Sequence, residues 1–152
     1  PVSHQPPAAA AGQRAHRASV MEAAMQNPVT RVLTLHGIPN CDTVKKARAW
    51  LAAQAPAAGV EVQFHDFRKQ GVPAELLGPA SEALGWERLI NRSGTTWRRL
   101  DEAERAAVTD AATAIALMQT QPSVIRRPLV RWPDGRFSVG FDAADFAARL
   151  AR

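Results

Sequence analysis

Cys41, the only cysteine in this 152-residue chain, is the side chain best placed for covalent chemistry. It stands in Gly37-Ile38-Pro39-Asn40-Cys41-Asp42-Thr43-Val44-Lys45-Lys46, after a Pro-Asn turn and before a stretch of helical periodicity. At such a place unpaired backbone N–H groups and the positive end of a helix dipole favour a thiolate over a thiol. Lys45, four residues on and about one turn away, adds positive potential, and Asp42 opposes it. The chemistry that fits is nucleophilic attack or mixed-disulfide formation. The competing reading is a buried thiol acting as a small hydrophobe. Polar neighbours and the preceding turn favour the reactive one. Val44 fills the position where a Cys-x-x-Cys motif carries its second thiol, so a cycle through Cys41 needs a thiol from outside.

One cysteine excludes an intrachain disulfide and any all-cysteine metal site. The four histidines, at 4, 16, 36 and 65, form no His-x-x-x-His pair, so no structural metal is expected. A lone thiol fits a reducing compartment, and a cytoplasmic location is the expectation. No run of about eighteen apolar residues predicts a membrane span. Net charge is +5, from 19 basic and 14 acidic side chains, and only Lys45, Lys46 and Lys69 are lysines. Arginine-rich charge of this sign draws anions: oxyanions, an anionic peptide or nucleic acid. A nucleic-acid reader motif is missing, and direct nucleic-acid binding is not expected. Arg98 and Arg99 beside Trp97 read most simply as a solvated surface next to a core Trp, and Trp86 and Trp97 as core residues. His65 beside Asp66, and His36 at the end of the first strand, are weaker candidates for acid–base work.

The elements that must position Cys41 follow from periodicity. Residues 1–30, rich in Pro, Ala, Gln and Ser, read as a flexible leader with a short helical stretch near Val20–Met25. The ordered domain spans 31–152. Val32–His36 is a β-branched and apolar run closed by Gly37 and Pro39, which predicts a strand. Val44, Ala47 and Leu51 recur at helical spacing from 42 to about 54, and residues 60–67 alternate as a second strand. Together they make a parallel βαβ unit. A helical insertion is expected over about 73–121, with its first helix broken at Gly78-Pro79 and others at 101–105 and 109–120. Pro133-Asp134-Gly135 between two short apolar runs predicts a hairpin, and a closing helix follows Asp142. The fold class is α/β: a small mixed sheet with helices over it and a helical insertion between its halves.

Four blocks carry a resemblance. They are Leu33–Ala47, Phe64-His65-Asp66-Phe67-Arg68-Lys69, Leu89-Ile90-Asn91-Arg92-Ser93-Gly94-Thr95-Thr96-Trp97, and Pro122-Ser123-Val124-Ile125-Arg126-Arg127-Pro128-Leu129. From Val32 to about Leu150 the chain resembles the glutaredoxin-coupled arsenate reductase (ArsC) and Spx-like superfamily, and most of all its small YffB-type branch. The resemblance implies a thioredoxin-like fold. It implies that Cys41 is the redox-active residue, with Asn40, Lys45, Arg92, Arg127 and Pro128 forming an anion- or glutathione-binding surface. It further implies that Arg127-Pro128 is an arginine followed by a cis proline beside the thiol. Arsenate-reducing members surround the cysteine with three arginines. Arg92 and Arg127 match two of them, and the third falls near Gly140. Losing one guanidinium removes charge-assisted hydrogen bonds to an oxyanion, so slow arsenate reduction is expected.

The function these features imply is a glutathione-dependent monothiol reductase acting by mixed-disulfide exchange. Glutathione is its cosubstrate, glutaredoxin a further partner, and the molecule a monomer. Arsenate reductase proper is one alternative. A regulator of the Spx kind that binds RNA polymerase is another, though Val44 removes the Cys-x-x-Cys switch such regulators often carry.

Overall fold

A computed structural model describes residues 31–152, and the leader expected over 1–30 lies outside the described residues. Strand β1 (Arg31–Gly37) leads to helix α1 (Asp42–Gln54), and after a short 3-10 turn at Pro56–Ala58 comes β2 (Val60–Asp66). Six helices follow: α2 (Phe67–Gln70), α3 (Ala74–Leu84), α4 (Trp86–Leu89), α5 (Thr95–Arg99), α6 (Glu102–Ala106) and α7 (Ala111–Thr120). A 3-10 turn at Pro122–Val124 returns the chain to β3 (Leu129–Arg131), β4 (Phe137–Val139) and α8 (Ala143–Leu150). The strand order is β2-β1-β3-β4. β1 and β2 are parallel, as the βαβ reading requires, whereas β1–β3 and β3–β4 are antiparallel. This is the thioredoxin-like architecture, and among the described residues no helix is long and apolar enough to cross a membrane.

The alternation of β1 sends its side chains to two separate cores. Leu33 and Leu35 join Val130 and Trp132 on one face, under Val44, Ala47 and Leu51 of α1 and Phe146 and Leu150 of α8. Trp132 is held there by an edge-on contact with Phe146 at 4.9 Å between centroids, and its indole N–H donates to Ser138 Oγ at 2.8 Å. On the opposite face Leu129 and Phe137 pack with Phe67, with Leu76, Leu77 and Ala80 of α3, and with Ala114 and Met118 of α7. The sheet is covered from both sides.

Helix boundaries follow from caps. Asp101 accepts from the Glu104 N–H and Asp110 from the Thr113 N–H, each in a reciprocal box, and Asp142 accepts from the Asp145 N–H. Two expectations need correcting. α3 is continuous through Pro79 rather than broken. Proline forfeits one i→i−4 bond, but Leu76, Leu77, Ala80 and Ser81 are buried on both sides of it, and that packing holds the helix. Thr95–Arg99, outside the helices expected within the insertion, forms α5. It is too short for periodicity to reveal.

The insertion is tied back to the sheet half by backbone pairing. Ile90 bridges Ile125, the Asn91 N–H donates to the Val124 carbonyl at 2.8 Å, and the Arg126 N–H to the Leu89 carbonyl at 2.7 Å. These bonds fix the chain immediately before Arg127.

Candidate functional site

Cys41 is the N-cap of α1, with extended backbone (φ −141°, ψ 124°), and it is half-buried against the core beneath that helix. The turn that delivers it is tight for a steric reason. A Cβ on Gly37 would sit 2.9 Å from Val44 Cγ2, so only glycine lets the end of β1 pass this close to the first turn of α1. Val44 itself is fully buried and locks that turn onto the sheet.

Four influences set the ionisation of the thiol. Partial burial is the largest and pushes its pKa up. The Val44 N–H, then the Arg127 guanidinium by hydrogen bonding and by charge, and then the Thr43 N–H all pull it down, and together they win. The net shift is downward. The sulfur makes no cap bond to the helix that meets strict geometry; the amides act on it as oriented dipoles, with Arg127 the cation that faces it. Alkylation of Cys41 by iodoacetamide, followed against pH, should therefore have its midpoint below the ordinary thiol value of about 8.5. A midpoint at or above that value would remove the activated nucleophile.

Arg127 is held from behind. Its Nη1 donates to the Ser123 carbonyl at 3.0 Å, across the 3-10 turn at Pro122–Val124, while its Nε is buried without a partner. A buried guanidinium N–H left open is costly. The Arg127–Pro128 peptide is cis, as the resemblance implied, and Pro128 is buried. Its carbonyl accepts from the Gly140 N–H at 2.9 Å.

The remaining expected site residues are spread more widely. Asn40 and Lys45 are exposed on either side of the thiol. Arg92 is exposed on the insertion, and its guanidinium lies over the rings of Trp86 and Trp97, 5.9 and 5.8 Å from their centroids. The cation that acts on Cys41 is Arg127; Arg92 is engaged with two indoles instead. This also corrects the reading of Trp86 and Trp97 as plain core residues. Both are half-buried at the edge of the insertion's core, against which they pack, and Arg92 lies beside both rings. At the third arginine position Gly140 has φ +84°, a conformation side chains rarely adopt.

His65 and Asp66 do not form a catalytic pair. The Asp66 carboxylate caps α2 by accepting from the Arg68 and Lys69 N–H groups, and His65 Nε2 donates to the Gly71 carbonyl. Sequence reasoning overlooked Ser123, the carbonyl that aims Arg127. Its signal was the Pro122-Ser123-Val124 turn four residues upstream of the arginine.

Comparison with known proteins agrees with this geometry. The sequence pattern of the ArsC family matches residues 36–149. A solved structure of a protein called YffB is 44% identical, with a TM-score of 0.69, covering 78% of this chain and 99% of that one. The solution structure of an arsenate reductase (ArsC) related protein from Brucella melitensis is 42% identical, with a TM-score of 0.60, covering 82% and 99%. The global transcriptional regulator Spx of Streptococcus pyogenes is 29% identical over 124 residues, covering 80% of this chain and 87% of that protein. With a single thiol at the first helix N-terminus, an arginine facing it just ahead of a cis proline, and a family match across both halves of the sheet, this chain belongs to the ArsC family.

Proposed function

We propose that the protein is a glutathione-dependent monothiol reductase of the cytoplasm. The observation that carries this reading is the lone Cys41 thiol, lowered in pKa by Val44 and Thr43 N–H groups and by Arg127. The Cys41 thiolate attacks the glutathione sulfur of a mixed disulfide, forming a Cys41–glutathione disulfide and expelling the substrate thiolate, which takes up a proton. A second glutathione thiolate then attacks the glutathione sulfur of that adduct, releasing oxidised glutathione and restoring the Cys41 thiolate. The net exchange consumes one glutathione thiol and the mixed disulfide and releases the substrate thiol and oxidised glutathione. Asn40, Lys45, Arg127 and Pro128 line the approach to the thiol, and Arg92 sits farther out on the insertion. Glutaredoxin is a second protein able to remove the glutathione adduct.

Arsenate reductase proper is the second reading, favoured by the likeness to the arsenate reductase related protein of Brucella melitensis. Against it stands Gly140, which offers no side chain to the third side of an oxyanion and whose φ of +84° disfavours installing one. Spx-like binding of RNA polymerase draws on the likeness to that regulator, but Val44 leaves no disulfide switch beside Cys41.

The wild-type protein should turn over a glutathione mixed disulfide and show little arsenate turnover. The measurement is oxidation of NADPH coupled through glutathione, glutathione reductase and glutaredoxin, with Cys41→Ser as the blank. Robust arsenate turnover lost in that blank makes arsenate the substrate. If neither substrate turns over, the reductase reading fails, and capture of polymerase by a Cys41→Ser variant becomes the deciding assay.

A further inference from the structure

The sheet face opposite Cys41 carries a cleft that the thiol chemistry leaves unused. Its volume is about 410 Å³, within the range of small-molecule sites. The floor is polar: Thr34 and His36 come from β1 and Arg131 from β3, with Thr34 and Arg131 opposite each other in the antiparallel register. Glu75, in the first turn of α3, faces them from the wall. Pro73, Leu76 and Phe137 supply the apolar part of the lining.

The four polar groups keep hydrogen-bonding or charge capacity that no partner among the described residues takes up. Among the described residues the ion pairs are Arg136–Asp134 and Arg149–Asp145, so Arg131 and Glu75 line one cleft with opposite charges and no partner. Asp134 and Arg136, in the turn between β3 and β4, already pair with each other at 3.7 Å and do not compete for either. Among the described residues no side-chain hydrogen bond occupies the Thr34 hydroxyl. His36 is only 6% exposed, and its Nδ1 donates to the Leu129 carbonyl at 2.8 Å. A carbonyl only accepts, so the proton is on Nδ1, and in the neutral ring Nε2 is an acceptor with no partner among the described residues.

We propose that this cleft binds a free α-amino acid with an apolar side chain. The arrangement sorts into two complementary halves. Arg131 and the Thr34 hydroxyl donate to a carboxylate, and Glu75 and His36 Nε2 accept from an ammonium group. A zwitterion joins these halves through one carbon, and Pro73, Leu76 and Phe137 take its side chain. A simple carboxylic acid leaves Glu75 unmatched, and a simple amine leaves Arg131 unmatched.

The test uses L-leucine as the probe and the Cys41→Ser protein, so that its outcome does not depend on the thiol reaction. Titration followed by NMR should shift the His36 ring and the β1 and β3 amides around Thr34 and Arg131. 4-Methylpentanoate, which lacks the ammonium group, and isopentylamine, which lacks the carboxylate, should each bind at least tenfold more weakly. Arg131→Met and Glu75→Gln, both at exposed side chains, should each weaken L-leucine at least tenfold and leave turnover by Cys41-intact protein unchanged. The proposal is overturned if 10 mM L-leucine moves none of these signals. It is equally overturned if the acid or the amine binds as well as the amino acid, or if neither variant changes the affinity.

Discussion

Replacing Arg127 by alanine is expected to lower turnover of a glutathione mixed disulfide by about 10²–10³-fold, the scale on which a preorganised charged donor acts at a reacting centre. The same change should move the Cys41 alkylation midpoint upward. Arg127 favours the thiolate both by hydrogen bond and by charge. Arg127→Lys should restore part of the shift in ionisation and less of the turnover, since an ammonium keeps the charge but loses the planar fork. Arg92→Ala should cost only a few-fold, because that guanidinium is engaged with Trp86 and Trp97. Steady-state kinetics on the three variants separates these effects. Equal and negligible losses from Arg127→Ala and Arg92→Ala would show that neither arginine serves this substrate.

Acid should weaken the fold through His36. Burial, followed by the neighbouring charges of His65 and Arg131, outweighs the hydrogen bond to Leu129 and takes its pKa from 6.5 to about 4. The sign follows from linkage. Between these two values the unfolded chain binds a proton at this position and the folded protein does not, so stability rises with pH across the window and falls as pH drops from 6.5 toward 4. At about 1.4 kcal/mol per unit, the full loss is about 3 kcal/mol, a large part of a typical domain's stability of roughly 5–15 kcal/mol. Below about pH 4 the folded protein is protonated at His36 as well, so the loss is complete and this group adds no further slope. Urea denaturation at pH 7, 5.5 and 4.5 measures the slope. His36→Asn, which keeps a donor for the Leu129 carbonyl and does not titrate, should flatten it. An unchanged slope in that variant would assign the acid sensitivity to other groups.

Much of this was readable in the chain. Leu33 and Leu35 alternating with Thr34 and His36 fixed β1 and its two faces, and Val44, Ala47 and Leu51 fixed the buried stripe of α1. The hairpin followed from Asp134-Gly135, and the thiol from a lone cysteine ahead of a helix. What escaped depends on contacts between residues distant in sequence. Continuity of α3 through Pro79 rests on burial against Phe67, Met118 and their neighbours, which no local propensity reports. The adjacent proline already ranked Arg127 above Arg92 in the sequence, but what each guanidinium touches was not legible there. Only the folded insertion shows one guanidinium spread over two indoles and the other facing sulfur. The cleft between Arg131 and Glu75 was invisible for the same reason, since its two charges lie on different elements.

Val44, buried where a second thiol would stand, also fixes a kinetic order. A neighbouring thiol discharges a mixed disulfide in a first-order step whose rate ignores what surrounds the protein. Cys41 has no such neighbour, so in the proposed cycle an adduct on it waits for a thiolate from outside the chain, and its lifetime scales inversely with the concentration of that thiolate. Occupancy of Cys41 at steady state is then a running readout of how much reduced thiol the surroundings hold.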